Sequence, residues 1–239
     1  MALYLSRKDI EAIGEVELMD YDTKYPGDLR YPLHMILFAT NQLGLDVKHR
    51  KLSDSGNILG LTVCANTEVE LPVSVVDNIV CEPKDAIFIE SRLQCSKYQK
   101  YWRFTIAHEC AHKILDRIQE RKTGYSYRKV FEPIGWYTFE EAKTDEGWWE
   151  WQANALAAVL LMPKFKLLPY LKDYRDKLHK FTTFGGRLGD VDCKKMKTLA
   201  DKFDVSFSAM KIRLDELGLV SHKPKPEYRP NLKGVFVEE

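Results

Sequence analysis

The segment Arg103-Phe104-Thr105-Ile106-Ala107-His108-Glu109-Cys110-Ala111-His112 decides how the rest of the chain is read. It contains H-E-x-x-H, two histidines four positions apart with a glutamate directly after the first. On a helix, residues four apart lie on one face, so both imidazoles can reach a single ion. Glu109 lies about 100° round the helix from His108, at ~3.6 residues per turn. From there it can take a proton from a water on the ion without being a ligand itself. Phe104, Ala107, Ala111, Leu115 and Ile118 form an apolar stripe beside the histidines, and the spacing predicts a helix from about Lys100 to Arg121. An accidental match in a chain this long has a chance of about 1%. Two half-buried histidines and a carboxylate with no metal would also need other polar partners.

A catalytic zinc usually takes three protein ligands and keeps one position open. The best third ligand is Glu150, in Glu150-Trp151-Gln152-Ala153-Asn154-Ala155-Leu156-Ala157-Ala158. Glu150, Ala153, Asn154 and Ala157 share one helical face, and the two alanines would let this helix approach the histidine helix closely. Asn154, one turn beyond Glu150, is placed to orient a ligand from behind. Glu146 on the same helix and His179 are rival ligands. Zinc is the metal these ligand types favour, although Mn²⁺ or Fe²⁺ also suits two histidines and one carboxylate.

The chain around these segments is of ordinary globular composition. Its 239 residues are 45% hydrophobic and 30% charged, enough to bury a core without disulfides or a structural metal. The metal is therefore expected for chemistry. A net charge of +1 gives no whole-chain field towards nucleic acid or anionic membrane. Five cysteines at irregular spacing, with no CxxC, argue against a disulfide framework or a thiolate zinc site. The N-terminal residues lack a signal-like apolar core, and no apolar run approaches the ~20 residues of a membrane span. A cytoplasmic location is the expectation.

Periodicity predicts a helix over Arg7–Met19, and a second from Pro32 to a C-cap at Gly44. Strands are predicted over Ile58–Val63, Val69–Val76 and Ala86–Glu90, forming a small antiparallel sheet. A helix from Glu146 to Met162 stops at Pro163, and an amphipathic segment covers Phe165–Phe181. A turn follows at Phe184-Gly185-Gly186, then a helical pair within Cys193–Leu217, capped by Gly218. Helices, then strands, then helices describe an α+β fold. The organisation expected is a main domain over 1–190 that carries both helices of the metal site, a helix-turn-helix-like module over 191–222 and an extended tail over 223–239.

RFTIAHECAH followed by EWQANALAAVLLMP resembles the ImmA/IrrE family of metallopeptidases, whose pattern is roughly RFT-A-HE-x-x-H and then E-x-x-A-N-x-x-A-x-x-L-L-M-P. Arg103, Phe104, Thr105, Ala107, His108, Glu109 and His112 match the first part. Glu150, Ala153, Asn154, Ala157, Leu160, Leu161, Met162 and Pro163 match the second, and the likeness extends over about residues 5 to 220. The resemblance implies a zincin-like, gluzincin-type fold, zinc on His108, His112 and Glu150, and Glu109 as general base. It also implies a protein substrate, with helix-turn-helix transcriptional repressors as the targets of similar proteins. Cleavage of one would derepress a mobile element or a stress response. The interval between His112 and Glu150 is longer than the pattern leads one to expect. The extra stretch, 122–145, reads equally as a lid or exosite and as a surface insertion. The group that steadies the oxyanion is open among Tyr125, Tyr127, Tyr137 and His179.

Leu199 to Ser206 followed by Ala209 to Leu214 reads as helix, turn, helix, with Ser206 as N-cap of the second. Lysines around it allow DNA contact, but Phe207–Leu214 is poor in the Arg, Asn and Gln that read bases, so packing or substrate docking is favoured. The alternative to a peptidase is a non-proteolytic, metal-containing regulator that binds DNA or a partner protein through this module. An intact general base beside the ligands favours the peptidase.

Overall fold

A computed structural model describes residues 4–74, 79–119, 125–129 and 144–225; the side chains of 125–129 and of Glu146 lie outside that description. Helix α1 (Arg7–Lys24) opens with a reciprocal cap. The Ser6 hydroxyl accepts from the Asp9 amide, and the Asp9 carboxylate accepts from the Ser6 amide at 2.9 Å. The helix runs past the expected Met19 because Tyr21 continues the buried stripe of Ile10, Gly14 and Leu18. The second expected helix is shorter than its sequence pattern. His34 caps it, Nδ1 accepting from the Leu37 amide, so α2 is Met35–Leu37 and passes into a π-helical turn, Phe38–Gln42. Gly44 ends it at φ +68°, a conformation open to glycine without strain.

The principal sheet has the order β1-β5-β2-β6, built from β1 (Asp46–Arg50), β2 (Ile58–Val63), β5 (Ala86–Glu90) and β6 (Tyr125–Lys129). β2 and β5 coincide with the predicted strands. The sheet is mixed, which corrects the antiparallel expectation: β1 runs parallel to β5, while β2 is antiparallel to both β5 and β6. β1 was missed because Asp-Val-Lys-His-Arg is an edge strand with no alternating apolar face. Of the predicted strand Val69–Val76, the described residues 69–74 hold only β3 (Val69–Glu70), paired with β4 (Ile79–Val80), while residues 75 and 76 lie outside the described set. These two strands and the segment after β3 cover the outer face of the sheet through Val69, Leu71, Val73 and Val80, against Leu61, Val63, Ala86 and Phe88.

Helix α3 (Gln99–Gln119) packs on the inner face of the sheet, and α4 (Asp145–Leu161) packs on α3. Thr144 caps α4, its hydroxyl accepting from the Gly147 amide at 2.9 Å. Ala107 and Ala111 on α3, and Ala153 and Ala157 on α4, are fully buried. Small side chains at these positions let two backbones come close. α1 crosses α4 at Gly14, where an added Cβ would stand 2.4 Å from Val159 Cγ1.

Beyond Pro163 the expected amphipathic run breaks up. α5 (Lys164–Leu167) gives way to a 3₁₀ turn containing Pro169, then to β7 (Phe181–Phe184). Gly185 and Gly186, at φ +56° and +81°, turn the chain into β8 (Arg187–Leu188). α6 (Asp190–Lys202) and α7 (Phe207–Glu216) follow, with Ser206 capping α7 at 3.1 Å from the Ala209 amide. β9 (Val220–Lys223) returns parallel to β7, completing a three-stranded sheet in the order β8-β7-β9. Met196, Leu199, Phe203, Met210 and Leu214 of this region belong to the same core as α1, α3 and α4. Arg103 fastens α3 to it: Nη1 donates to Leu33 O at 2.9 Å, and Nε pairs with the Asp204 carboxylate at 3.1 Å. Among the described residues no helix is long and apolar enough to cross a membrane.

Candidate metal centre

The histidine spacing on α3 works as the helix period requires. His108, Glu109 and His112 are all fully buried. The two imidazole rings stand edge to face, at 87°, with their Nε2 atoms 2.9 Å apart. Glu150 reaches across from α4, with Oε2 at 3.1 Å from His108 Nε2 and Oε1 at 3.1 Å from His112 Nε2. Among the described residues these three are the one group of His, Cys, Asp or Glu whose ligand atoms converge.

The donor set fits a divalent ion. A tetrahedral zinc with bonds of about 2.0–2.1 Å holds its ligand atoms about 3.3 Å apart. The separations here, 2.9 and 3.1 Å, are close to that. Three lone pairs aimed at one point repel each other unless a cation or a proton sits among them. His108 has its tautomer set from behind: Nδ1–H donates to Asn154 Oδ1 at 3.0 Å, which leaves the Nε2 lone pair facing the centre. Asn154 lies one turn beyond Glu150, so α4 supplies both the carboxylate and the support for His108. Trp149 covers His112, with ring centres 5.8 Å apart.

Burial by itself would raise the Glu150 carboxyl. When the imidazoles are protonated, the charge of His108 and hydrogen bonds from His108 and His112 more than offset it, holding the group well below the usual carboxylate range. His112 shows the mirror effect: burial works to lower it, and the Glu150 carboxylate raises it. Burial pushes the Cys110 thiol far up, so this cysteine stays neutral beside the centre. No disulfide forms among the five cysteines.

Glu109 turns away from α4 towards the sheet. The Thr62 hydroxyl donates to its Oε2 at 2.7 Å. Gly60 gives it room, since an added Cβ there would stand 2.5 Å from Glu109 Oε1 and 2.7 Å from Thr105 Cγ2. A β-bulge at Leu59 shifts the strand's parity, so Ile58 joins the outer core while Gly60 and Thr62 face α3. Neither residue is marked by a motif, and sequence reasoning missed both. The Gly60 backbone is not left-handed, so replacement by Ala is opposed by crowding and not by φ. Gly60→Ala is expected to cost about 1–3 kcal/mol. That predicts a fall of several degrees in thermal midpoint, and wild-type melting would contradict this packing.

Of the rival ligands, His179 is bonded elsewhere, Nε2 to Asp192 at 2.8 Å, and packs on Phe181. Glu146, Tyr125 and Tyr127 have side chains outside the described set, as does the whole of Tyr137. Most of the 122–145 stretch is likewise outside it, apart from β6 and the start of α4.

Two histidines, an acid from a second helix and a spare carboxylate between the histidines make the donor set of a metal-dependent hydrolase. A family model, the IrrE N-terminal-like domain of peptidase M78, matches residues 87–215, more than half of the chain and all of the residues just described on α3 and α4. The chain belongs to this family, the ImmA/IrrE metallopeptidases. No curated protein matches it.

Proposed function

We propose that the chain is a zinc-dependent endopeptidase that cuts a helix-turn-helix transcriptional repressor in the cytoplasm and so releases the genes the repressor silences. The observation that carries the peptidase part is the convergence of His108, His112 and Glu150 while Glu109 of the same helix faces away from Glu150. When bound, the ion acts as a Lewis acid, acidifying water and polarising the scissile carbonyl. Glu109 takes the proton from the attacking water and returns it to the leaving amine. Asn154 keeps His108 in the ligating tautomer. Trp149 keeps bulk water from His112, which strengthens every charge interaction at the centre.

We assign residues 1–190 to the peptidase and 191–222 to a helix-turn-helix-like module that packs or docks substrate. Support comes from the direction of its charged side chains. Arg213 of α7 is buried, forks onto the Glu11 carboxylate at 2.6 and 2.8 Å and donates to Met162 O at 3.0 Å. A DNA-reading helix would need such a group exposed.

Mapping new protein N-termini in cells that do and do not express the chain tests the substrate. A new terminus inside a helix-turn-helix repressor, absent with Glu109→Gln, is expected. Intact repressors with new termini in some other protein would overturn the substrate assignment.

A further inference from the structure

We propose that Thr62 is a positioning residue for Glu109, holding the carboxylate in the one orientation from which it can exchange a proton with the attacking water; this rests on the metallopeptidase reading above. A glutamate has two staggered torsions and a broad terminal one, so a helix position alone does not aim its carboxylate. Productive proton transfer requires donor and acceptor within hydrogen-bond reach and aligned. Thr62 supplies the missing constraint. Its hydroxyl is buried and donates to Oε2 at 2.7 Å, in the range of a bond from a hydroxyl to a charged carboxylate.

Three features make the constraint stiff. Thr62 lies on β2, which is hydrogen-bonded on both sides, to β5 and to β6. Its β-branched side chain restricts χ1, so the hydroxyl is aimed before Glu109 arrives. Gly60, two residues earlier on the same face, lets α3 come close enough for the bond to form. The hydroxyl can donate to Oε2 both before and after Glu109 takes up a proton. Thr62 therefore holds one orientation through both halves of the transfer. The proton leaves water for the carboxylate, then leaves the carboxylate for the amine nitrogen as the C–N bond breaks.

The test compares wild type, Thr62→Val and Thr62→Ser in the full chain, each loaded with Co²⁺ as a visible-absorbing substitute for zinc. The probe is acetohydroxamic acid, which gives up a proton when it binds a metal and needs a base beside it. Thr62→Val is expected to keep the cobalt stoichiometry and the ligand-free cobalt spectrum, and to melt a few degrees lower because Glu109 Oε2 loses a buried donor. Its affinity for acetohydroxamate should fall about tenfold or more, as expected for loss of a bond to a charged group. Thr62→Ser, which keeps the hydroxyl, should recover most of that affinity. Equal affinity in wild type and Thr62→Val would overturn the proposal. So would a Ser variant as weak as Val, which would make the methyl group and not the hydroxyl responsible. A Val variant that loses cobalt, with Ser doing the same, would assign Thr62 to the fold alone. Failure of the wild type to bind cobalt would instead overturn the metallopeptidase reading on which the proposal stands.

Discussion

Glu109→Gln is expected to leave the metal in place and reduce cleavage by about 10²–10⁴-fold, the usual contribution of a positioned general base. The ligand atoms are untouched, because His108, His112 and Glu150 meet each other without Glu109. Glutamine has the shape of glutamate, and its amide oxygen can still accept from Thr62, so the packing against β2 survives. What disappears is a group able to hold a proton. The check is zinc per chain by elemental mass spectrometry, measured beside the rate at which the repressor identified by its new N-terminus is cut. Wild-type cleavage by Glu109→Gln would remove Glu109 from the reaction. Unchanged biological output from a variant that cuts nothing would favour the regulator that binds without proteolysis.

Glu150→Ala is expected to cost more than about 100-fold in metal affinity, because even loss of a group that only supports a ligand costs about 10–100-fold. Glu150 is the only anion among the three convergent side chains, and it is the contribution of a different helix. Without it the ion would meet two neutral imidazoles on one turn of α3. The loss should also appear in stability. Metal at 100 times its dissociation constant stabilises a fold by about 2.7 kcal/mol, and that gain vanishes once the site is no longer filled. Zinc added at a level that raises the melting temperature of wild type should therefore leave Glu150→Ala unmoved. A variant that retains one zinc per chain and its zinc-dependent stabilisation would show that another group, such as Glu146, completes the set.

Much of this centre could be read without coordinates. His108, Glu109 and His112 lie within five consecutive residues, and a helix period converts that spacing into geometry. Glu150, Asn154 and the alanines between and after them obey the same period on α4. The capping of α7 by Ser206 and the glycine turn at Gly185-Gly186 are equally local. Each depends on residues within about a turn of one another, and at that range backbone geometry leaves few alternatives.

Other features depend on residues distant in the chain. β1 has no apolar alternation, and only β5, some forty residues later, gives it a place beside a parallel neighbour. Arg213 looks like a surface charge on an amphipathic helix, yet the Met162 carbonyl and Glu11, the latter almost the full length of the chain away, draw it into the core. Thr62 and Gly60 look like ordinary strand residues until the bulge at Leu59 turns them towards α3. The sequence by itself determined the ligand helix, its partner and the chemistry they can carry, because periodic placement is a property of neighbouring residues. Only the tertiary structure decided how the two helices bring Nε2, Nε2 and a carboxylate to one point, and which strand aims the base. Those outcomes depend on packing between elements, and packing is settled by the shapes of surfaces that meet only after the chain has folded.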